Sequence, residues 1–268
     1  MKRVLSIQDL SCMGKCSLTV ALPVLSAMGH ACTVLPTAVL STHTAFPNPH
    51  CRSLTEDILP IAEHWAASGA EFDVISVGYL ADPLQAEKVS RVLEKFQSTV
   101  ILDPAMGDHG RLYSGQTPRH VEAMAQLCRQ ADYILPNLTE AALLTGIPYR
   151  EDADEGYLQD LTAGMLSFGA KAVVITGFTR ADGQTGFFGA RAGGESFTYH
   201  ARRIPKHFHG TGDLFAAVFA GGLLRGKTDA QAATLAARFV ERVITATRES
   251  TPFGIAFEPE LPWLIAQL

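Results

Sequence analysis

Two glycines, a threonine and an aspartate stand together in residues 209–224, HGTGDLFAAVFAGGLL, directly before a helix-like run rich in Ala and Gly. Gly210 and Gly212 allow the backbone to turn its N–H groups toward one point, and the dipole of the following helix adds partial positive charge there. The pattern predicts an anion site that needs no lysine. A carboxylate at Asp213, beside a bound phosphate, is costly unless it takes part in chemistry. Alternatively, the four residues are only a capped helix start.

Polar or small residues also follow three apolar runs that are typical of strands. They are Asp103 and Asp108 after the first run, Asn137 and Glu140 after the second, and Thr176 and Gly177 at the end of the third. Three-residue spacing at a helix start lets Asn137 and Glu140 share one face, and hard oxygen ligands suit Mg²⁺. Each piece also has a structural interpretation, because Asp-Pro is a common turn and Asn with Glu three residues later can form a helix cap.

A second candidate phosphate site, residues 10–18 (LSCMGKCSL), does not meet the requirements of a P-loop. That motif needs a glycine five residues before Gly-Lys and a Ser or Thr directly after the lysine. Asp9 and Cys16 occupy those places. A carboxylate would repel phosphate and a thiol is a poor Mg²⁺ ligand. We therefore interpret the stretch as the loop and helix start after the first strand, with Lys15 as an exposed side chain.

The elements that must position these residues alternate along the chain. Predicted strands are residues 4–8, 33–40, 73–80, 99–104, 132–137 and 172–177, and each precedes a helical pattern or a loop. Such alternation, with near-continuous Val, Ile and Leu, predicts a parallel sheet with helices on both faces and ligands at the carboxyl ends of the strands. Residues 184–190 and 196–204 predict an added antiparallel hairpin. No linker or repeat divides the chain, so we expect one domain, 1–268.

Two helix starts can be predicted from capping signals. Ser53 with Glu56 has the spacing of a capping box, and Thr117 with Pro118 is typical of a helix N-terminus.

Bulk properties narrow the class of function. The 268 residues are 47% hydrophobic and 18% charged, with a net charge of −5 and no basic run, which argues against a nucleic-acid surface. The N-terminal apolar stretch breaks at Gln8 and Asp9, and no apolar stretch reaches the length of a membrane span. Five scattered cysteines fit a reducing compartment. We expect a cytoplasmic protein that acts on small molecules.

The chain resembles the pyridoxal and pyridoxamine kinases of the ribokinase-like superfamily over nearly its whole length. The motifs that carry the resemblance are SIQDLS, LSTHT, VGYL, DPAMGDHGRLY, PNLTEAALLTG, VVITG and GTGDLFAA. The resemblance implies a three-layer α/β/α fold with a mainly parallel sheet. It also implies ATP-dependent phosphorylation of the 5′-hydroxymethyl group of pyridoxamine, pyridoxal and pyridoxine, with Mg²⁺, a monovalent cation such as K⁺, and a homodimer.

The resemblance also implies roles for individual residues. Asp213 would be the base that takes the proton of the substrate hydroxyl, and Gly210, Thr211 and Gly212 would form the anion hole. Mg²⁺ would be held, directly or through water, by Asp103, Asn137 and Glu140. Nucleotide contacts would come from Asp108, Thr176 and Gly177, and substrate contacts from Asp9, Thr44, Tyr79 and Tyr113. His209 departs from the family, in which a small or apolar residue usually precedes Gly-Thr-Gly-Asp, and we expect of it only a contact with nucleotide phosphate.

One departure from the family concerns Asp9, where the better-known pyridoxal kinases carry a serine. A carboxylate there could pair with a cationic amine, which suggests that pyridoxamine is used at least as well as pyridoxal. Two alternatives stay open from the sequence: a hydroxymethylpyrimidine kinase of the same superfamily, and a non-catalytic vitamer or nucleotide sensor. A nicotinamide dehydrogenase is disfavoured, because no G-x-G-x-x-G follows the first strand.

Overall fold

A nine-stranded sheet forms the centre of the computed structural model, which describes residues 1–43, 46–206, 208–247 and 253–268. Strands of the described residues are β1 (Arg3–Met13), β2 (Ala31–Thr42), β3 (Cys51–Ser53), β4 (Val74–Val77), β5 (Thr99–Leu102), β6 (Gly107–Asp108), β7 (Arg111–Leu112), β8 (Tyr133–Ile134), β9 (Ala172–Thr179), β10 (Gln184–Arg191) and β11 (Ser196–Arg202). The order across the large sheet is β11-β10-β9-β8-β5-β4-β1-β2-β3, and β6 pairs with β7 separately.

The strands from β2 to β9 in this order are parallel, and the antiparallel strands lie at the two edges. The predicted hairpin is confirmed: β10 pairs with β11 and also with β9, both antiparallel. The third antiparallel strand, β3, pairs with β2 and was not predicted, because its three exposed residues carry no hydrophobic pattern. β1 continues five residues beyond the predicted end at Gln8, since β2 is long enough to pair with it as far as Met13.

Helices cover both faces of the sheet. They are α1 (Leu18–Ala27), α2 (Ile58–Ala67), α3 (Pro83–Lys95), α4 (Pro118–Cys128), α5 (Leu138–Thr145), α6 (Glu155–Leu166), α7 (Thr211–Leu224), α8 (Asp229–Ala246) and α9 (Leu261–Ile265), with a short 3₁₀ helix at Glu258–Glu260. One face packs against α2 to α6, and the other against α1, α7, α8 and α9.

Alternating strand residues build the two cores. In β9, Val173 and Ile175 join the core under α2 to α6, whereas Val174 joins the core under α1, α7 and α8. Because successive side chains of a strand project to opposite faces, a run of apolar residues implies burial on both sides. The three-layer α/β/α fold with a mainly parallel sheet is therefore confirmed.

Helix starts agree only partly with the capping signals. Thr117 does cap α4, in a capping box with His120 at the third helical position. The prediction for Ser53 and Glu56 is wrong: Ser53 lies in β3, its hydroxyl shares a 2.7 Å hydrogen bond with Thr55, and α2 begins only at Ile58. The S-x-x-E spacing did not decide the cap because pairing with β2 takes Ser53 into the sheet.

Candidate functional site

A cavity of about 580 Å³ opens where the parallel strands end. Every predicted site residue in the described part of the chain lines it, and Thr44 lies outside the described residues. The lining residues that were predicted are Asp9, Tyr79, Asp103, Asp108, Tyr113, Asn137, Glu140, Thr176, Gly177, His209, Gly210, Thr211, Gly212 and Asp213. Because parallel strands present their carboxyl ends at one edge, residues far apart in sequence meet there.

Gly210 shapes the anion-site turn at the start of α7. It is the N-cap residue, with the left-handed angles φ 86° and ψ 4°. A Cβ placed on it would lie only 1.8 Å from the carbonyl oxygen of Lys15, so the turn packs directly on the loop after β1. Both the conformation and the close approach require glycine. The first N–H groups of α7 have no partner within the helix, so this end of α7 offers donors and a positive dipole end to an anion.

Asp213 lies in the first turn of α7 and lines the cavity. The pKa of its carboxyl is raised to about 6, mainly by burial and also by the charge of Asp9, although an interaction with the backbone N–H of Ser17 lowers it in part. The residue is half-buried. Asp213 is thus mostly ionised at neutral pH while being a stronger base than an exposed carboxylate, which suits proton abstraction.

Asp103 lies beside the same turn. A Cβ on Gly212 would be 3.7 Å from its Oδ2 atom, so the backbone of α7 comes close to this carboxylate. Burial and then the charge of Asp213 raise the pKa of Asp103 to about 8. Carboxylates crowded into one desolvated place cannot all ionise easily unless a cation compensates them.

Asn137 and Glu140 form a reciprocal cap at the start of α5. The Asn137 Oδ1 atom accepts the Glu140 N–H at 2.9 Å, and the Glu140 Oε2 atom accepts the Asn137 N–H at 2.8 Å. Asn137 Nδ2 also donates to the Gly107 carbonyl at 2.8 Å, and Glu140 Oε1 accepts the Met106 N–H at 3.1 Å. Burial and the charge of Asp103 raise the pKa of Glu140 well above its ordinary value. The cap interpretation is therefore correct for both residues.

The predicted magnesium ligands lie together, but their hydrogen bonds differ. Asp103 lines the cavity beside the anion turn, whereas Asn137 and Glu140 already use side-chain oxygens to hold backbone N–H groups. In the described ranges, no group of three His, Cys, Asp or Glu side chains has the arrangement of a metal site. These oxygen donors would fit a Mg²⁺ ion that keeps most of its waters.

Asp9 lies at a register shift between β1 and β2 and is almost fully buried, with 4% of its surface exposed. Its Oδ2 atom accepts the Ser11 hydroxyl at 2.9 Å, and its Oδ1 atom accepts the Ser17 hydroxyl. Burial raises the pKa of Asp9 even though both serines stabilise the charged form. The carboxylate lines the cavity but already has two hydroxyl partners.

Tyr79 and Tyr113 line the cavity after β4 and β7. Burial raises the pKa of both phenols, so each stays a neutral hydroxyl that can donate a hydrogen bond. Gln116 hydrogen bonds to the Tyr79 side chain and donates to the Leu80 carbonyl at 3.0 Å, which holds Tyr79 in place.

In the loop that contains Gly-Lys, the lysine side chain contacts other residues of the protein. Lys15 makes an ion pair with Glu258, and its ammonium lies 5.3 Å from the centre of the Phe257 ring. Lys15 is therefore held by the C-terminal segment and is not a purely solvated side chain. Neither Gly14 nor Lys15 lines the cavity, whereas Cys16 and Ser17 do.

Sequence reasoning missed several residues that line the cavity. His43 does so and its ring lies 4.7 Å from that of His209, while Tyr199 donates a 2.6 Å hydrogen bond to Glu241 of α8. Arg202 and Lys206 also line it. Arg202, Arg203 and Lys206 lie within five residues at the end of the predicted hairpin, and such a cluster of cations is a sequence signal for an anionic ligand.

The comparisons with known proteins agree on one family. Residues 22–258 match the family model for phosphomethylpyrimidine kinase. The chain is 31% identical to a pyridoxine/pyridoxal/pyridoxamine kinase of Bordetella avium, over 91% of this chain and 85% of that protein.

Two solved structures are similar over nearly their whole length. A pyridoxal kinase from Lactobacillus plantarum is 35% identical with a TM-score of 0.91, covering 100% of this chain and 98% of that one. A protein from Bacteroides thetaiotaomicron, assigned as a phosphomethylpyrimidine kinase and crystallised with pyridoxal, is 34% identical with a TM-score of 0.94, covering 98% and 95%. None of the described helices is both long and apolar enough to cross a membrane.

A first prediction concerns the close packing of Gly210. In Gly210→Ala the methyl group would collide with the Lys15 carbonyl, so we expect a lower Tm and a large loss of anion binding at this turn. Gly226→Ala is the matched control, because Gly226 has a similar φ of +80° but no atom near its Cβ position. It should show only the left-handed backbone penalty of about 1–2 kcal/mol. Thermal unfolding and titration with a non-hydrolysable ATP analogue measure the two effects, and equal losses in the two variants would contradict the packing argument.

A second prediction concerns the crowded carboxylates. The folded-state pKa of Asp103, about 8, lies above its ordinary value of 3.8, so its ionisation reduces folding stability progressively as pH rises between these values. Asp103→Asn should therefore raise the Tm of the metal-free protein at pH 8 and change it little near pH 4. Each kcal/mol corresponds to roughly 2–4 °C in chains of this size. Asp108→Asn, at an exposed position of β6, is the control and should change the Tm much less than Asp103→Asn does.

Proposed function

The chain belongs to the phosphomethylpyrimidine kinase family, and we propose that it transfers the γ-phosphoryl group of ATP to the 5′-hydroxymethyl group of pyridoxal, pyridoxine and pyridoxamine. The observation that carries the proposal is the cavity in which the Gly210–Asp213 turn, a basic carboxylate and two neutral tyrosines meet. The names of the relatives support B6 vitamers over hydroxymethylpyrimidine, and the intact carboxylate at Asp213 favours an enzyme over a sensor.

Asp213 is the proposed general base. A primary alcohol hardly ionises at neutral pH, so its proton must pass to a positioned base as the new bond forms. In the proposed step the Asp213 carboxylate takes the hydroxyl proton, the oxygen attacks the γ-phosphorus, and the bond from that phosphorus to the bridging oxygen breaks. ADP leaves with the electron pair of that bond. The pKa of about 6 makes Asp213 more basic than an ordinary aspartate while leaving it ionised at pH 7.

Residues Gly210, Thr211 and Gly212 are proposed to hold the migrating phosphoryl group. Phosphoryl transfer asks a protein mainly for positioning and charge compensation. The N–H groups at the start of α7 and the positive end of its dipole offer both without reorganisation during the reaction. When bound, Mg²⁺ would be held by Asp103 directly and by Asn137 and Glu140 through water, and would neutralise phosphate charge. A monovalent cation such as K⁺ remains a prediction.

The two substrates are proposed to occupy different parts of the cavity. Asp108, Thr176, Gly177 and His209 are proposed to contact the nucleotide, together with the basic residues Arg202 and Lys206. The vitamer ring would lie near Asp9, Tyr79 and Tyr113, and Thr44 is carried to the same pocket by the family motif. Tyrosines with a raised pKa suit this pocket, because they can both contact a heteroaromatic ring and donate hydrogen bonds to it.

Three wider features belong to the same proposal. The chain would act as one kinase domain over residues 1–268, as a homodimer, and in the cytoplasm. The continuous sheet of nine strands supports the single domain, and the edge strand β11 of the hairpin offers a surface for the homodimer.

The base assignment is tested with Asp213→Asn. We expect kcat to fall about 10²–10⁴-fold, because a positioned base contributes on that order, while ADP affinity stays within about threefold. Steady-state kinetics and calorimetric titration of ADP measure the two quantities. Near-normal turnover would contradict the assignment, and a lost ADP site would mean that the residue acts on nucleotide binding.

The substrate class is tested with the purified protein, ATP and Mg²⁺. Pyridoxal, pyridoxine, pyridoxamine and hydroxymethylpyrimidine are supplied separately, and the phosphorylated products are measured by mass spectrometry. We expect 5′-phosphates of the three vitamers at rates at least tenfold above that of the pyrimidine, by discrimination between ring types in one pocket. Preferred turnover of the pyrimidine would favour the alternative enzyme, and binding without turnover would favour a sensor.

A further inference from the structure

Ser17 has an unusual conformation for the first residue of a helix. It is the N-cap residue of α1, yet its φ is 52° and its ψ is −126°, and its hydroxyl makes no capping hydrogen bond. An ordinary serine N-cap has extended angles and uses its oxygen to accept a helical N–H. A non-glycine residue with a positive φ is strained and persists only when its surroundings hold it. Something other than capping must therefore stabilise Ser17.

The hydroxyl of Ser17 is used on Asp9. It donates to Oδ1 of the Asp9 carboxylate, while the Ser11 hydroxyl donates to Oδ2 at 2.9 Å. All three residues are buried, with exposures of 4% or less. A hydrogen bond from a hydroxyl to a buried carboxylate is among the stronger kinds. The hydrogen bond to Asp9 connects the Ser17 side chain to β1, and a backbone bridge between Leu10 and Ser17 connects the main chains.

The backbone of Ser17 faces the proposed base. Ser17 and Asp213 both line the cavity, and the interaction of the Ser17 N–H group with the Asp213 carboxylate lowers the pKa of that carboxyl. The same loop also touches the start of α7, where the Lys15 carbonyl lies against Gly210. The direction of the Ser17 N–H, and with it the orientation of the Asp213 carboxylate, therefore depends on the strained φ of Ser17.

We propose that Asp9 is a positioning residue for phosphoryl transfer: by accepting the Ser17 hydroxyl it holds Ser17 in its left-handed conformation, and the Ser17 N–H then orients the Asp213 carboxylate. The inference rests on the proposed function, since it assigns how the base of that reaction is held. It differs from a direct role of Asp9 in binding a substrate amine, because both carboxylate oxygens already accept hydroxyl groups and little of the residue is exposed.

Two consequences separate a positioning role from a charge role. Asparagine keeps an oxygen that can accept the Ser17 hydroxyl, so the negative charge of Asp9 is not essential. Glycine adopts a positive φ without strain, so a glycine at position 17 needs no hydroxyl tether and should make Asp9 dispensable. Alanine at position 17 removes the tether and keeps the strain.

The experiment is a set of single and double variants assayed with pyridoxal and with pyridoxamine. Asp9→Ala and Ser17→Ala should each lower kcat about 10- to 100-fold, as expected for a lost hydrogen bond to a charged group, with KM for ATP and vitamer changed less than about threefold. Asp9→Asn should keep about tenfold more kcat than Asp9→Ala, and Ser17→Gly about tenfold more than Ser17→Ala. Adding Asp9→Ala to Ser17→Gly should lower kcat by no more than about threefold further.

Two results would overturn the proposal. The first is an equal loss from Asp9→Ala with and without Ser17→Gly, which would show that Asp9 acts independently of Ser17. The second is a loss in Asp9→Asn confined to pyridoxamine and seen in KM, which would show an ion pair with the substrate amine. If Asp9→Ala does not fold, the contrast between Ser17→Ala and Ser17→Gly still decides, because equal losses there contradict the tether. Wild-type inactivity on every vitamer would instead contradict the proposed function.

Discussion

The concentration of carboxylates at one edge of the sheet is the constraint on which the site depends. Asp213, Asp103 and Glu140 lie close together, and burial and the charge of a nearby carboxylate oppose the ionisation of each one. A fold built only for stability would avoid this arrangement. It persists because the start of α7, the Ser17 N–H and the amides around Glu140 offset part of the repulsion, and cationic ligands can offset the rest.

Residues around the cavity serve the architecture and the chemistry together. Asn137 and Glu140 begin α5 and also fasten the turn of Met106 and Gly107 above the sheet. The same two side chains therefore cap the helix and hold the loop in place. From the sequence alone, a helix cap and a functional site are alternative interpretations of such a pair. In the structure the two are compatible.

Much of the fold could be predicted from local patterns. A parallel strand that is buried on both faces has to be apolar throughout, and a hairpin is marked by turn residues between two strand patterns. The cavity-lining residues could also be found, since strand ends converge and Gly-Thr-Gly-Asp is locally recognisable. What could not be predicted depends on distant partners: the pairing of β3 with β2, the ion pair of Lys15 with Glu258, and the use of the Ser17 hydroxyl on Asp9. No short stretch of sequence encodes those contacts.

The packing of Gly210 on the Lys15 carbonyl joins two segments that are 195 residues apart in the sequence. A nascent polypeptide that has completed β1 and α1 on the ribosome has made Asp9 and Ser17, but it has neither the turn at Gly210 nor Asp213, the proposed base. Both arrive only when α7 emerges and packs against α1, so the site cannot form before residues 211–224 have been synthesised. Shorter nascent chains would therefore carry Asp9 and Ser17 without the turn that the loop after β1 packs against.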